Sequence, residues 1–158
     1  MPQFANPWMN RLLGNWQIAP LLSYHTGNWY SVFTAVDNSL TGVGNDRANA
    51  LGGNPYLRNM STLQWLNPNA FAQNAIGTFG NSGSDSLQGP SYFDIDAGVT
   101  RYFKISEHQR VELRFEFFNI LNHPNFQVPD GTETDATFGA ILSDFSPRIL
   151  QFAMKYTF

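Results

Sequence analysis

Few residues in this chain of 158 have the type and spacing to do chemistry. Asp94 and Asp96 form an Asp-x-Asp pair, the arrangement in which two carboxylates share a cation or a sugar. They alternate with Phe93, Ile95 and Ala97, and no third ligand stands near them, whereas a hard cation takes six or more oxygens. The pair therefore reads as the polar side of a strand. The run Asp130-Gly131-Thr132-Glu133-Thr134-Asp135 is acidic like a calcium loop but lacks the closing bidentate glutamate, so it reads as an acidic loop. His25, His108 and His123 share no spacing with one another or with carboxylates, which gives neither a ligand set nor a general base. Serine, histidine and aspartate occur without the strained Gly-x-Ser-x-Gly turn of a nucleophile elbow. Cysteine is absent altogether, which excludes thiolate metal sites, disulfide scaffolds and thiol nucleophiles. These residues predict no enzyme, no metal and no cofactor.

Two other groups suit recognition rather than catalysis. Arg110, Glu112, Arg114 and Glu116 place a charge at every second position. Such a ladder is either a path for a charged solute along a watery lumen or a row of cross-strand ion pairs, and the ion pairs are the simpler reading. Trp29, Tyr30, Tyr56 and Trp65 stand in loop-like sequence, where aromatic rings either stack on a sugar or peptide ligand or pack the loops together.

The elements that must position these groups are strands. Helical periodicity is nearly absent, and alternation of period two appears in four places. It covers residues 15–25 (Trp16, Ile18, Pro20, Leu22 and Tyr24 on one face), although Pro20 would demote a central strand. It returns over 92–104, with Phe93, Ile95, Ala97, Val99 and Phe103 on one face and Arg101 interrupting that face near its end. The clearest case is 110–121, where Val111, Leu113, Phe115 and Phe117 oppose the charged ladder; charges at every second residue line one face of a strand but not of a helix. The last is 148–158, with Leu150, Phe152, Met154, Tyr156 and Phe158 in phase. Two long segments rich in Asn, Gly and Ser, about 35–90 and 122–146, separate these strands, and loops of that length are uncommon in compact domains. Trp29 to Thr34 reads as a short strand at the base of the first.

Short and long connections therefore alternate, as they do in bacterial outer-membrane barrels with brief periplasmic turns and long extracellular loops. Strands of about 10 to 13 residues suffice to cross a bilayer at a tilt near 45°. Trp16, Tyr24, Tyr92, Phe103, Tyr156 and Phe158 fall near strand ends, where interfacial girdles lie. The expected fold is all-β, with antiparallel transmembrane strands. Four strands cannot close a barrel, because the smallest bacterial ones have about eight. Composition agrees with that address. Nine Lys and Arg against twelve Asp and Glu leave no basic surface for nucleic acid. No apolar run reaches the length of a transmembrane helix, and the first residues lack the basic-then-apolar pattern of a signal peptide.

Several segments resemble, in order, the end of TonB-dependent receptor-like barrels, particularly the Oar-like kind with a carboxypeptidase-regulatory-like domain. These are Gly14-Asn15-Trp16-Gln17-Ile18, Trp65-Leu66-Asn67-Pro68-Asn69-Ala70-Phe71 and Gly77-Thr78-Phe79-Gly80-Asn81. The more specific matches are Arg114-Phe115-Glu116-Phe117-Phe118-Asn119-Ile120-Leu121-Asn122-His123-Pro124-Asn125-Phe126 and the closing Pro147-Arg148-Ile149-Leu150-Gln151-Phe152-Ala153-Met154-Lys155-Tyr156-Thr157-Phe158. Arg47-Ala48-Asn49 departs from the resemblance, which has proline in the middle. The resemblance implies a C-terminal piece of a barrel of about 22 strands, in the bacterial outer membrane, with 35–90 and 122–146 as extracellular loops. It implies that Met1 is an internal methionine or the start of a truncated gene model, and that the chain alone transports nothing. The implied partners are the lipid bilayer and lipopolysaccharide, the remaining strands and plug of a parent protein, and the TonB complex through an N-terminal part. A last further partner is the barrel-assembly machinery, which would read Met154, Tyr156 and Phe158 as its signal. The alternative is a soluble extracellular β-sheet module with sugar-binding aromatic loops.

Overall fold

Alternating β-branched and aromatic residues favour extended chain, and the strands lie where that alternation is strongest. The computed structural model describes residues 14–158. Four long strands are present: β1 (Trp16–His25), β6 (Tyr92–Lys104), β7 (Arg110–Phe118) and β8 (Ile149–Thr157). Four short ones lie between the first two: β2 (Trp29–Tyr30), β3 (Asn49–Ala50), β4 (Phe71–Ala72) and β5 (Leu87–Gln88). The described chain divides into two compact units. One, the strand unit, holds 14–24, 93–124 and 146–158, with most of the four long strands; the other, the loop unit, holds 25–92 and 125–145 with β2 to β5.

The strand unit is one sheet in the order β1-β6-β7-β8. β6 pairs antiparallel with β7 from Ala97↔Phe117 to Lys104↔Arg110. β7 pairs antiparallel with β8 from Arg110↔Thr157 to Phe118↔Ile149. Pro20 is accommodated because β1 lies at the sheet edge, where a missing amide donor costs least. β7 stops at Phe118, three residues short of the expected 121, because Asn119 takes a left-handed φ of 49°. Asparagine tolerates that region better than most side chains. Its amide then closes the reversal: Asn119 Nδ2 donates to the His123 carbonyl at 2.9 Å, and the His123 N–H donates to Asn119 Oδ1 at 2.8 Å. The Asn119 N–H donates to Asp96 Oδ1 at 3.0 Å, tying the end of β7 to β6.

The loop unit is ordered, in contrast to the irregular segments that its composition suggested. β2 pairs with β5 and β3 with β4. Val32, Ala48, Leu66, Phe71, Leu87 and Phe138 form a buried cluster, with Leu66 fully enclosed. Phe71 and Phe138 meet edge to face at 5.8 Å and join the two loop segments across the sequence. Backbone bonds reinforce that junction: the Trp65 N–H donates to the Gly139 carbonyl at 2.7 Å, and the Ile141 N–H to the Thr62 carbonyl at 2.8 Å. Small polar residues do the rest. Buried Asn74 donates to Asp46 Oδ2 at 3.1 Å and to the Thr78 carbonyl at 2.6 Å. Gly80 is required sterically, since a Cβ there would lie 1.7 Å from the Arg47 carbonyl oxygen.

Candidate functional site

Strict alternation along β6, β7 and β8 separates two sheet faces by register. One face carries the rows Ala97–Phe117–Leu150, Val99–Phe115–Phe152, Arg101–Leu113–Met154 and Phe103–Val111–Tyr156. The other carries Gly98–Glu116–Gln151, Thr100–Arg114–Ala153, Tyr102–Glu112–Lys155 and Lys104–Arg110–Thr157. Apolar side chains on the first face stay open: Phe152 is 64% exposed and Met154 68%. Phe115 and Phe152 pack as a tilted pair at 5.1 Å but cover little of each other. Soluble monomers rarely leave a contiguous apolar surface of this extent, and an outward apolar band facing lipid is what a membrane barrel needs.

The opposite face holds the whole charged ladder. Arg114 Nη2 meets Glu112 Oε1 at 2.8 Å, and Arg114 Nη1 meets Glu116 Oε1 at 3.9 Å. These pairs run along β7, where cross-strand pairs were expected. The reason is register: the cross-strand neighbours of Arg114 are Thr100 and Ala153, which offer no carboxylate, so the guanidinium turns to its own strand. Solvent reaches the half-exposed Arg114 and screens both pairs, so they contribute little to stability. Arg110 stands at the turn end of the same face, opposite Lys104 and Thr157. A hollow of ≈ 400 Å³ opens there, with Lys104, Glu107, His108 and Arg110 in its wall.

The aromatic loop residues part company. Tyr30, Tyr56 and Trp65 pack against the buried loop cluster, while Trp29 is exposed. The Tyr56 hydroxyl accepts from the Gln88 N–H at 2.6 Å, which fixes it as a loop tie. Burial, then the neighbouring Tyr56, pushes the Tyr30 hydroxyl well above the usual phenol range, so it remains a neutral packed ring. Of the four, Trp29 alone is exposed.

Two carboxylates of the acidic motifs bind the chain itself. Asp96 caps the end of β7 as described. Asp130 accepts from the Thr132 N–H at 2.9 Å and from Thr137 Oγ1 at 2.6 Å, which folds its own loop. Among the described residues no three His, Asp or Glu side chains gather where they could hold a metal. His25 stacks flat on Tyr92 at 4.9 Å, and His123 meets Phe93 edge to face at 5.8 Å. Neither packing was legible in spacing along the chain.

At the C-terminus, Met154, Tyr156 and Phe158 all stay exposed, and the rings of Tyr156 and Phe158 lie 5.9 Å apart. The family model for an outer membrane beta barrel domain matches residues 1–151. The chain belongs to that family. No curated protein and no solved structure matches it. Family and geometry agree on an all-β, antiparallel barrel fold in the bacterial outer membrane. In that barrel domain, the Phe115 face is the apolar one and the Arg114 face the charged one.

Sequence reasoning missed Asn119 and the loop cluster. Asn119 left one usable signal, an asparagine directly after a strand of aromatics and three residues before the loop residues Asn122-His123-Pro124. The packing of Leu66 against Phe71 and Phe138 left none, since part of the cluster lies dozens of residues away in sequence.

Proposed function

We propose that this barrel domain supplies the last strands of a TonB-dependent, Oar-like outer-membrane receptor or transporter, with 35–90 and 122–146 on the extracellular side. The supporting observation is the sheet itself. Among the described residues the four strands form an open sheet with β1 and β8 at its edges, and β6 to β8 carry one apolar and one charged face, so closure needs further strands. The ordered loop unit suits ligand capture, with Trp29 as its exposed ring. Passage of the ligand belongs to the closed parent with its plug and the TonB complex, not to this sheet alone. The ladder of Arg110, Glu112, Arg114 and Glu116 lines the lumen as a set of mutually neutralising charges. The lipid bilayer and lipopolysaccharide cover the outside, and the assembly machinery reads Met154, Tyr156 and Phe158. No catalytic step is part of this role.

Reading the coding DNA upstream of Met1 tests the proposal directly: further alternating strands and a plug in frame are expected, and their absence removes the receptor reading. Deleting Phe158 from the parent is expected to lower its surface level several-fold. Unchanged surface levels would refute the assembly signal. A soluble sugar-binding sheet is the poorer account, because Tyr30, Tyr56 and Trp65 face inward and the strands expose their apolar side.

A further inference from the structure

The short turn between β6 and β7 gathers charge that the sheet does not neutralise. Lys104 closes β6 and Arg110 opens β7; they stand directly opposite in the register, with Thr157 of β8 beyond them. Like charges placed directly across an antiparallel pair repel. Among the described residues neither cation forms an ion pair, and the ladder carboxylates Glu112 and Glu116 both turn to Arg114. The turn itself is fixed, because the Ile105 and Ser106 N–H groups donate to the Gln109 carbonyl at 2.9 and 3.1 Å. That bracing sets Ser106, His108 and Gln109 in the wall of the ≈ 400 Å³ hollow that Lys104 and Arg110 share. Glu107 is the one acidic residue in that wall.

These groups suit one chemical class. Lys104 offers an ammonium as a point charge, and Arg110 a planar fork of N–H donors that matches phosphate oxygens. A phosphate monoester carries about −1.5 to −2 charge at neutral pH, so it engages both cations at once. A carboxylate, with one charge and two oxygens, is satisfied by the arginine fork alone. The hollow also falls in the range of about 300–1,000 Å³ that small-molecule sites occupy, so there is room for an organic body on the phosphate. We infer that Lys104 and Arg110, at the β6–β7 turn, form a binding site for the phosphate group of a small soluble phosphorylated compound. A soluble source is favoured over a lipid headgroup because the Lys104–Arg110–Thr157 row belongs to the charged face, opposite the apolar rows. The site goes beyond the receptor reading and stands apart from it, since all its residues belong to one turn and the strand ends that flank it.

The test uses the full chain in non-ionic detergent micelles, with phenyl phosphate as the probe and its binding followed by phosphorus NMR. Wild type should bind saturably. Arg110→Gln and Lys104→Gln should each weaken binding roughly ten-fold, the weight of one charge-assisted hydrogen bond. Glu107→Gln removes the repelling carboxylate and should tighten binding several-fold, a gain that a misfolded chain would not give. Lys155→Gln removes an equal charge from the next row of the same face, outside the hollow, and should stay within about two-fold because solvent screens it. No saturable binding, or equal losses in Lys155→Gln and Arg110→Gln, overturns the site. Benzoate, a carboxylate of similar size, should bind several-fold more weakly, and equal affinity would overturn the choice of phosphate. Phosphatidylglycerol added to the micelles should leave phenyl phosphate binding unchanged, whereas competition by the lipid would overturn the soluble source.

Discussion

The sheet and the loops of this protein invert the arrangement of a water-soluble domain. In the loop unit, polar sequence encloses an apolar cluster that includes Leu66, Phe71 and Phe138. In the strand unit, apolar sequence lies outward: every residue of β1 and β8 except Ser23 and Thr157 is exposed, and none of the buried hydrophobic cluster belongs to it. Stability must therefore come from different sources. The loop unit relies on burial from water and on side chains that satisfy the backbone. The sheet relies on its hydrogen-bond ladder and, in the membrane role proposed above, on lipid as the solvent for its apolar face. Hydrophobic residues mark the core in one region and the solvent boundary in the other.

The sharpest way to break this contrast is Leu66→Ala. Emptying a fully buried leucine site costs about 2–5 kcal/mol. Amide exchange should accelerate across the loop unit and stay unchanged across β7 and β8; equal acceleration in both would show a single cooperative unit. Next, Phe115→Arg on the lipid side should destabilise the bilayer-embedded sheet by about 2–4 kcal/mol, as a cation near the midplane does. Its counterpart on the lumen side, Gln151→Arg, should stay within about 0.5 kcal/mol. Urea titration in vesicles compares the two, and similar costs would mean the faces are misassigned. Asn119→Ala removes the capping amide at a left-handed position and should cost about 1–3 kcal/mol, read in the same titration. Glu112→Gln should change stability by no more than about 1 kcal/mol, because its partner Arg114 is half exposed and keeps Glu116.

The last prediction is a pH slope confined to the loop unit. Asp46 is held below the usual carboxylate range first by the Ser39 hydroxyl, with partial desolvation opposing, then by the Asn74 amide. Its folded pKa is depressed, so its contribution is complete above the ordinary carboxylate pKa and is lost as pH falls through the lowered value. Acid titration followed by amide exchange should show the loop unit loosening below about pH 4, and Asp46→Asn should flatten that response. An unchanged slope in Asp46→Asn would assign it to another carboxylate.

Much of the sheet was legible because period-two alternation is a local property. Val111 to Phe117 announces both a strand and its two faces, whatever the rest of the chain does. The ladder charges were visible for the same reason, but their pairing was not, since it depends on Thr100 and Ala153 arriving beside Arg114. The loop aromatics show the same divide. Trp29 and Tyr30 are neighbours of one chemical type, yet one is exposed and the other packed, and only the β2–β5 pairing and the cluster beneath it decide which. Asn119 was hidden because ending a strand through a capping amide needs Asp96 and His123 in place.

The sequence by itself determined the strands, their two unlike faces, the lack of thiol chemistry and the resemblance to an outer-membrane barrel. Each depends on residue type or on spacing of a few positions. Tertiary structure alone decided that the Asn- and Gly-rich segments share a buried core, that the ladder pairs along β7, and that Arg101 lies between Trp16 and Phe103. Each of those depends on side chains brought together from distant positions, and local sequence carries no record of which distant residue will meet it.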